Sequence, residues 1–190
     1  MKKIILASAS PERKKLLENA GIVFEVIPSN YEEDMTLDME PKELAIFLSK
    51  GKGEDVANKI KEAIVISADT FVYFNNQLIG KPHTEEKAFT TLRTLSGNTH
   101  SVITGFTIID IKENKTISKA VETKVSFKEL SDEEINNYIK EGNPLNYAGS
   151  YTLRDIFDKF IDKIEGDHDN TIGLPVDVVI ETLKEFGINN

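Results

Sequence analysis

Ile4-Ile5-Leu6-Ala7-Ser8-Ala9-Ser10-Pro11-Glu12-Arg13-Lys14-Lys15 is the stretch on which the fold turns. Residues 4–8 read as a continuous apolar strand, the kind buried on both faces. Ser10 then stands as a helix N-cap and Pro11 as the first helical residue. Leu16, Leu17 and Ala20 give that helix an apolar stripe, and Gly21 stops it. Strand, hydroxyl-rich turn and helix make a βα unit. Residues 23–27, ended by Pro28, supply the next strand.

Further along, Ala63-Ile64-Val65-Ile66-Ser67-Ala68-Asp69-Thr70-Phe71-Val72 reads as a buried strand interrupted by one acid, with Asp69 expected at a strand end. An acidic loop over 29–38 and a helix from Pro41 to about Lys61 lie between. Gly51 and Gly53 weaken that helix by roughly 1 kcal/mol each relative to Ala. Asn75-Asn76 marks a hairpin. A helix over 85–95 precedes strands over 101–110 and 116–127. Ser131 to Glu134 is a capping box opening a helix to about Lys140. Residues 142–149 read as a loop, residues 157–164 as a short helix or strand, and Pro175 opens a last helix that Gly187 stops. No internal repeat or linker interrupts the chain. The expectation is one domain over 1–190, of α/β class, with a mixed sheet and flanking helices.

Composition narrows the function classes. The chain has 190 residues, enough for a sizeable core, and 39% hydrophobic with 29% charged residues fits a folded protein. Its net charge of −9 argues against binding nucleic acid over a broad surface, though not against a local basic pocket. Without cysteine there is no disulfide and no thiolate metal site. The apolar run after Met1-Lys2-Lys3 is too short for a signal peptide or a membrane span, so a cytoplasmic protein without a membrane partner is expected.

Several residues could carry chemistry. A helix N-terminus attracts anions, yet Arg13, Lys14 and Lys15 oppose its dipole, a conflict that a bound polyanion removes; solvated surface bases are the alternative. A buried Asp69 needs a cation, a metal or a hydrogen-bond network, with Lys52, Lys81 and a divalent ion as partners, unless it only caps a turn. Gly80-Lys81-Pro82 is not a P-loop, because Asn75 and Pro82 stand where Gly and Ser or Thr are needed, but Lys81 can meet phosphate as a point charge. Glu32 and Glu33 offer oxygen ligands for Mg²⁺ or simply a solvated loop. His83, His100 and His168 are too scattered for a zinc site. Acid at a strand and hydroxyls at a helix start point to phosphate-ester or phosphoanhydride chemistry.

In order along the chain, Leu6-Ala7-Ser8-Ala9-Ser10-Pro11, Ala68-Asp69-Thr70, Gly80-Lys81-Pro82, Leu95-Ser96-Gly97 with His100 and Thr104-Gly105, Ala148-Gly149-Ser150-Tyr151 and Gly173-Leu174-Pro175 resemble the Maf-like nucleotide pyrophosphatase family. The resemblance implies a fold related to the inosine triphosphate pyrophosphatases, with two lobes around a cleft. It implies hydrolysis of a nucleoside triphosphate, standard or modified, to monophosphate and pyrophosphate with Mg²⁺ or Mn²⁺. By position, Asp69 would accept the proton of the attacking water, and Asp69 and Glu33 would hold the metal. Ser8, Ser10 and Arg13 would bind the phosphates, with Lys52 and Lys81 acting beside them in catalysis. The family often forms homodimers.

The chain also departs from the family. The pyrimidine branch has Ser-Pro-Arg-Arg where Ser10-Pro11-Glu12-Arg13 stands, and a Gln where Arg154 stands. Glu12, Thr70 and Arg154 resemble the family's specificity positions. Thr70 matches the pyrimidine branch, while Asn143 to Ser150 looks closer to the branch taking 7-methylated guanosine triphosphate. Glu12 and Arg154 are expected either to pair and reshape the base pocket or to leave Glu12 free to accept from a base's N–H groups. A nucleotide-binding regulator using the same cleft is the rival reading. A general acidic interaction protein explains the composition but not the motifs.

Overall fold

The computed structural model describes residues 2–142 and 144–189; Asn143, the first residue of the stretch likened to the 7-methylguanosine branch, lies outside them. Three strands are parallel neighbours: β2 (Glu25–Val26), β1 (Ile4–Leu6) and β3 (Ile64–Phe74). The rest pair antiparallel: β4 (Gln77–Ile79), β5 (Thr99–Asp110), β6 (Lys115–Phe127) and β7 (Ile161–Glu165). They form a seven-stranded mixed sheet in the order β2-β1-β3-β5-β6-β7, with β4 hydrogen-bonded to β3. The helices are α1 (Pro11–Asn19), α2 (Pro41–Ala57), α3 (Glu85–Leu95), α4 (Asp132–Glu141), α5 (Leu153–Phe160), α6 (His168–Ile172) and α7 (Val176–Lys184). The expected α/β class with a mixed sheet and flanking helices is what forms.

Alternation along β3 assigns the faces. Val65 and Phe71 pack with Val56, Leu44 and Leu48 of α2. On the other face Ile64 and Ile66 meet Leu17 of α1 and Val179 and Leu183 of α7, while Val72 meets Leu92 of α3, Ile135 of α4 and Ile156 of α5. That face therefore carries two apolar clusters, one at each end of the long strands. Thr70 and Thr104 sit between them, their hydroxyls 2.9 Å apart.

Two glycines bring α2 close to the sheet. A Cβ on Gly105 would stand 2.2 Å from the Ala45 carbonyl, and one on Gly53 would stand 2.6 Å from Ser67 Oγ. Their helix and strand penalty is the condition for backbone contact. Ser67 Oγ donates to the Ser49 carbonyl at 2.7 Å, so the dry interface still satisfies its polar groups.

Several elements differ from expectation. Asp69 is not at a strand end but in the middle of an eleven-residue strand, opposite Gly105. The helix from Pro41 stops at Ala57, where Asn58 caps it. Residues 157–164 hold both a helix end and a strand, because α5 passes directly into β7 at Phe160 and Ile161. The short α6 carries too few apolar residues to announce itself. Ser10, the capping box at Ser131 and the Asn75-Asn76 turn, with φ of 48° and 61°, form as expected. No helix among the described residues is long and apolar enough to cross a membrane.

Candidate active site

The site follows from where β1 stops. β1 pairs with β3 as far as Leu6 and Ile66, with one further bond from Ala7 N to the Ile66 carbonyl, and β4 takes up the same edge only at Val72. Residues 67–71 have no strand beside them on that side. A cleft of about 780 Å³ opens there, lined by the Ala7 to Pro11 turn, Arg13, Glu33, Lys52, Thr70, Lys81 and Gly173 among others. Ligands of open α/β sheets collect at such points, outside the carboxyl ends of parallel strands.

Asp69 is 4% exposed and points to the α2 face. Lys52 Nζ meets its carboxylate and also stands 2.5 Å from Glu33 Oε1. The buried acid thus has the cationic partner it requires, Lys52 rather than Lys81. Burial pushes the Glu33 carboxyl up, but the charge and hydrogen bond of Lys52, with Lys81 and Arg13 further off, outweigh it and hold the group below the usual range. Glu33 arrives on a tethered loop. Ser29 Oγ and Asn30 N donate to Asp55 of α2 at 2.9 and 2.8 Å. The Tyr31 ring lies on Gly51, where a Cβ would come within 2.4 Å of it. The glycine that looked like a helix defect is the seat of the loop.

The basic residues at the start of α1 separate. Lys14 turns out to Glu18 at 3.6 Å, and Lys15 lines a second cleft. Arg13 turns inward: Nε donates to the Gly173 carbonyl at 2.8 Å, Nη2 to Thr70 Oγ1 at 3.0 Å and Nη1 to Ser8 Oγ at 3.3 Å. Desolvation lowers its pKa, with Asp69 and Glu33 opposing, and it remains a cation. A guanidinium has five N–H donors, so these bonds leave one on each terminal nitrogen, a fork suited to phosphate. Ser10 Oγ accepts from Arg13 N at 3.3 Å as the helix cap. Lys81 is exposed at the rim.

A second cleft of about 400 Å³ adjoins the first, the two sharing Tyr147, Tyr151, Thr171 and Ile172. Glu12, Arg154, Phe157 and His168 line it. The expected pairing of Glu12 with Arg154 is not formed; no ion pair joins them among the described residues. Burial and Glu12 push the Tyr147 hydroxyl up, with Asp155 adding and Arg154 opposing, so both charges act on the phenol between the clefts. Thr70 lines the first cleft and not this one, and its hydroxyl is taken by Arg13, Thr104 and Gly173.

Residues 3–186 match the family described as Maf-like protein. The chain belongs to the Maf-like family. A relative from Thermoanaerobacter sp. (strain X514) named dTTP/UTP pyrophosphatase is 45% identical over 188 residues, 98% of each chain. A Methanosarcina barkeri (strain Fusaro / DSM 804) protein of the same name is 43% identical over 190 residues, covering 100% of this chain and 96% of its own. Among solved structures, a Mycobacterium abscessus nucleoside-triphosphatase / dITP/XTP pyrophosphatase aligns over 82% of this chain and 91% of its own, at 11% identity and a TM-score of 0.41.

In this Maf-like chain Tyr147 and Tyr151, which the sequence offers only as members of family-like stretches without a role, line both clefts. His100, read as orienting a turn, instead meets the Tyr151 hydroxyl with Nε2 at 2.7 Å. No local signal set them apart, since Tyr147 follows Asn146 and His100 stands in the polar stretch Asn98-Thr99-His100-Ser101. Among the described residues no group of three or more acids or histidines stands together as a metal site. Asp69 and Glu33, converging on one ammonium, still suit an ion such as Mg²⁺ that takes its remaining ligands from phosphates and water.

Proposed function

We propose that the protein is a nucleoside triphosphate pyrophosphatase. One observation carries this reading: at the unpaired edge of β3, Arg13, Lys52 and Lys81 line one cleft, and Lys52 holds the buried Asp69 carboxylate. Hydrolysis of a phosphoanhydride needs positioning, charge neutralisation and a proton acceptor more than covalent chemistry. Arg13, aimed by Gly173, Thr70 and Ser8, clamps phosphate oxygens with its two remaining donors. Lys52 and Lys81 add positive charge. Asp69 takes a proton from water as its oxygen attacks the α-phosphorus. The bond from that phosphorus to the bridging oxygen breaks, and pyrophosphate leaves from a nucleoside monophosphate. Mg²⁺ or Mn²⁺, held by Asp69 and Glu33, would offset the charge of the phosphates.

The second cleft takes the nucleoside end. The names of the relatives recommend UTP and dTTP as first substrates. Glu12 and Arg154 modify that choice: an acceptor and a donor in one cleft favour a base presenting N–H and a carbonyl. Removal of unwanted nucleotides from the pool is the role such an activity serves.

The test is pyrophosphate release from UTP, dTTP, CTP, GTP and 7-methyl-GTP with Mg²⁺ or Mn²⁺, for wild type, Asp69→Asn and Glu12→Arg. Cleavage to monophosphate and pyrophosphate by wild type, with Asp69→Asn still binding but at least about 10²-fold slower, is expected. Binding without cleavage by wild type would make the protein a nucleotide-binding regulator. Unchanged preferences in Glu12→Arg would remove Glu12 from base selection.

A further inference from the structure

Asn170 is fully buried in α6, a helix of five residues, and no apolar logic puts it there. Its Nδ2 donates to the Val102 carbonyl of β5 at 3.1 Å and to Thr123 Oγ1 of β6 at 3.1 Å. Thr123 Oγ1 in turn donates to the Asp167 carbonyl at 2.8 Å, and Asp167 caps α6 by accepting from Asn170 N at 2.9 Å. Both ends of the turn are thus clasped to two strands. Asn170 Oδ1 is buried without a partner, so the amide is held in place by its donors alone.

The main chain of Asn170 is held from the cleft side. Thr104 Oγ1 donates to its carbonyl at 3.1 Å and lies 2.9 Å from Thr70 Oγ1. With the Thr104 proton committed to Asn170, the Thr70 proton points to Thr104 or to the Gly173 carbonyl, 3.2 Å away. Either way Thr70 presents its lone pair to Arg13 Nη2. The Gly173 N–H donates to the Asn170 carbonyl at 3.1 Å, and the Gly173 carbonyl receives Arg13 Nε. Two of the three acceptors that aim the guanidinium therefore depend on where Asn170 is held.

We infer that Asn170 is a positioning residue for polyphosphate binding: its amide clasps α6 to β5 and β6 and so fixes the Gly173 carbonyl and Thr70 hydroxyl that aim Arg13. The inference rests on the reading of the first cleft as a polyphosphate site. A clasp that only stabilised the fold would leave the contribution of Arg13 untouched. A clasp that aims Arg13 makes the two residues energetically coupled.

Wild type, Asn170→Ala, Arg13→Ala and the double variant are compared for binding of inorganic tripolyphosphate by calorimetry, with kcat/KM for the triphosphate that the panel selects. Asn170→Ala is expected to weaken binding by about tenfold when Arg13 is present and by less than about twofold when it is not. Equal factors in both backgrounds, or no loss at all, overturn the inference. Thr123→Val keeps the volume of the side chain, cuts the β6 end of the clasp and serves in the same cycle if Asn170→Ala does not fold; there too, additivity is the overturning result. Wild type that binds tripolyphosphate but cleaves no triphosphate would sink the proposed activity and leave the cycle to decide on Asn170. Wild type that does not bind tripolyphosphate would sink both.

Discussion

At the scale of single residues, buried polar groups mark what the structure keeps for a purpose. His100 is 2% exposed, set edge-on against Phe127 and Tyr151, and burial lowers its pKa to about 4. The folded protein therefore holds the ring neutral at a pH where the unfolded chain, with its ordinary value of 6.5, takes up a proton. The resulting stabilisation is complete above the unfolded value and is lost as pH falls toward the folded one. Glu33 and Glu122, whose carboxyls are lowered, keep their contributions until pH falls into the ordinary carboxylate range. The interval from roughly pH 7 to 5.5 thus isolates His100, and wild type should lose about 1 kcal/mol across it. Urea unfolding at the two pH values checks this. In His100→Gln, which can still meet the Tyr151 hydroxyl, the loss should vanish. An equal loss in the variant would assign it to other groups.

At the scale of elements, glycines in α2 invert the usual expectation. Replacing an exposed helix glycine by alanine ordinarily stabilises by about 1 kcal/mol. At Gly51 the new methyl would meet the Tyr31 ring, and Tyr31 anchors the loop that carries Glu33 to Lys52. Gly51→Ala should therefore leave the melting temperature nearly unchanged, helix gain offsetting lost packing, while kcat/KM falls by about tenfold or more. A variant as active as wild type would show that the loop does not need this seat. Here the sequence is legible only in part. Strand, cap and helix at Ile4 to Lys15 could be read because their signals are local: an apolar run, a Ser-Pro pair, a glycine stop. The hairpin at Asn75-Asn76 and the capping box at Ser131 were legible for the same reason. The closeness of Gly51 to Tyr31 and of Gly105 to Ala45 could not be read, because it depends on which element lands on which. Asp69 was expected at a strand end since nothing local tells that β1 stops while β3 runs on. Arg13, Lys52 and Asp69 were legible as chemistry, through their types and a family resemblance. Lys52 stood among the candidate partners of Asp69, but the partners of Arg13 were not legible: Gly173 lies 160 residues away from it.

At the scale of the whole molecule, the site joins the two faces of the sheet. Lys52 and Glu33 come from the side of α2, Arg13 and Gly173 from the side of α1 and α7, and they meet only where the edge of β3 is unpaired. A polyanion that engages both groups must bridge elements packed on opposite faces of the sheet. The net charge of −9 repels such a ligand at long range, so the attraction is local to the cleft and weakens with salt. Inorganic tripolyphosphate at about 100-fold over its Kd should stabilise the fold by about 2.7 kcal/mol. Its distribution is the sharper test. Hydrogen exchange should slow on both sides at once, in the loop over 29–36 and in the segment from α6 to the start of α7, whose opening is local in the free protein. In Arg13→Ala the second segment should lose that protection while the loop keeps part of it through Lys52. Protection confined to one side in wild type would mean that the phosphates do not span the edge of β3, and that Arg13 and Lys52 do not act on the same bound ligand.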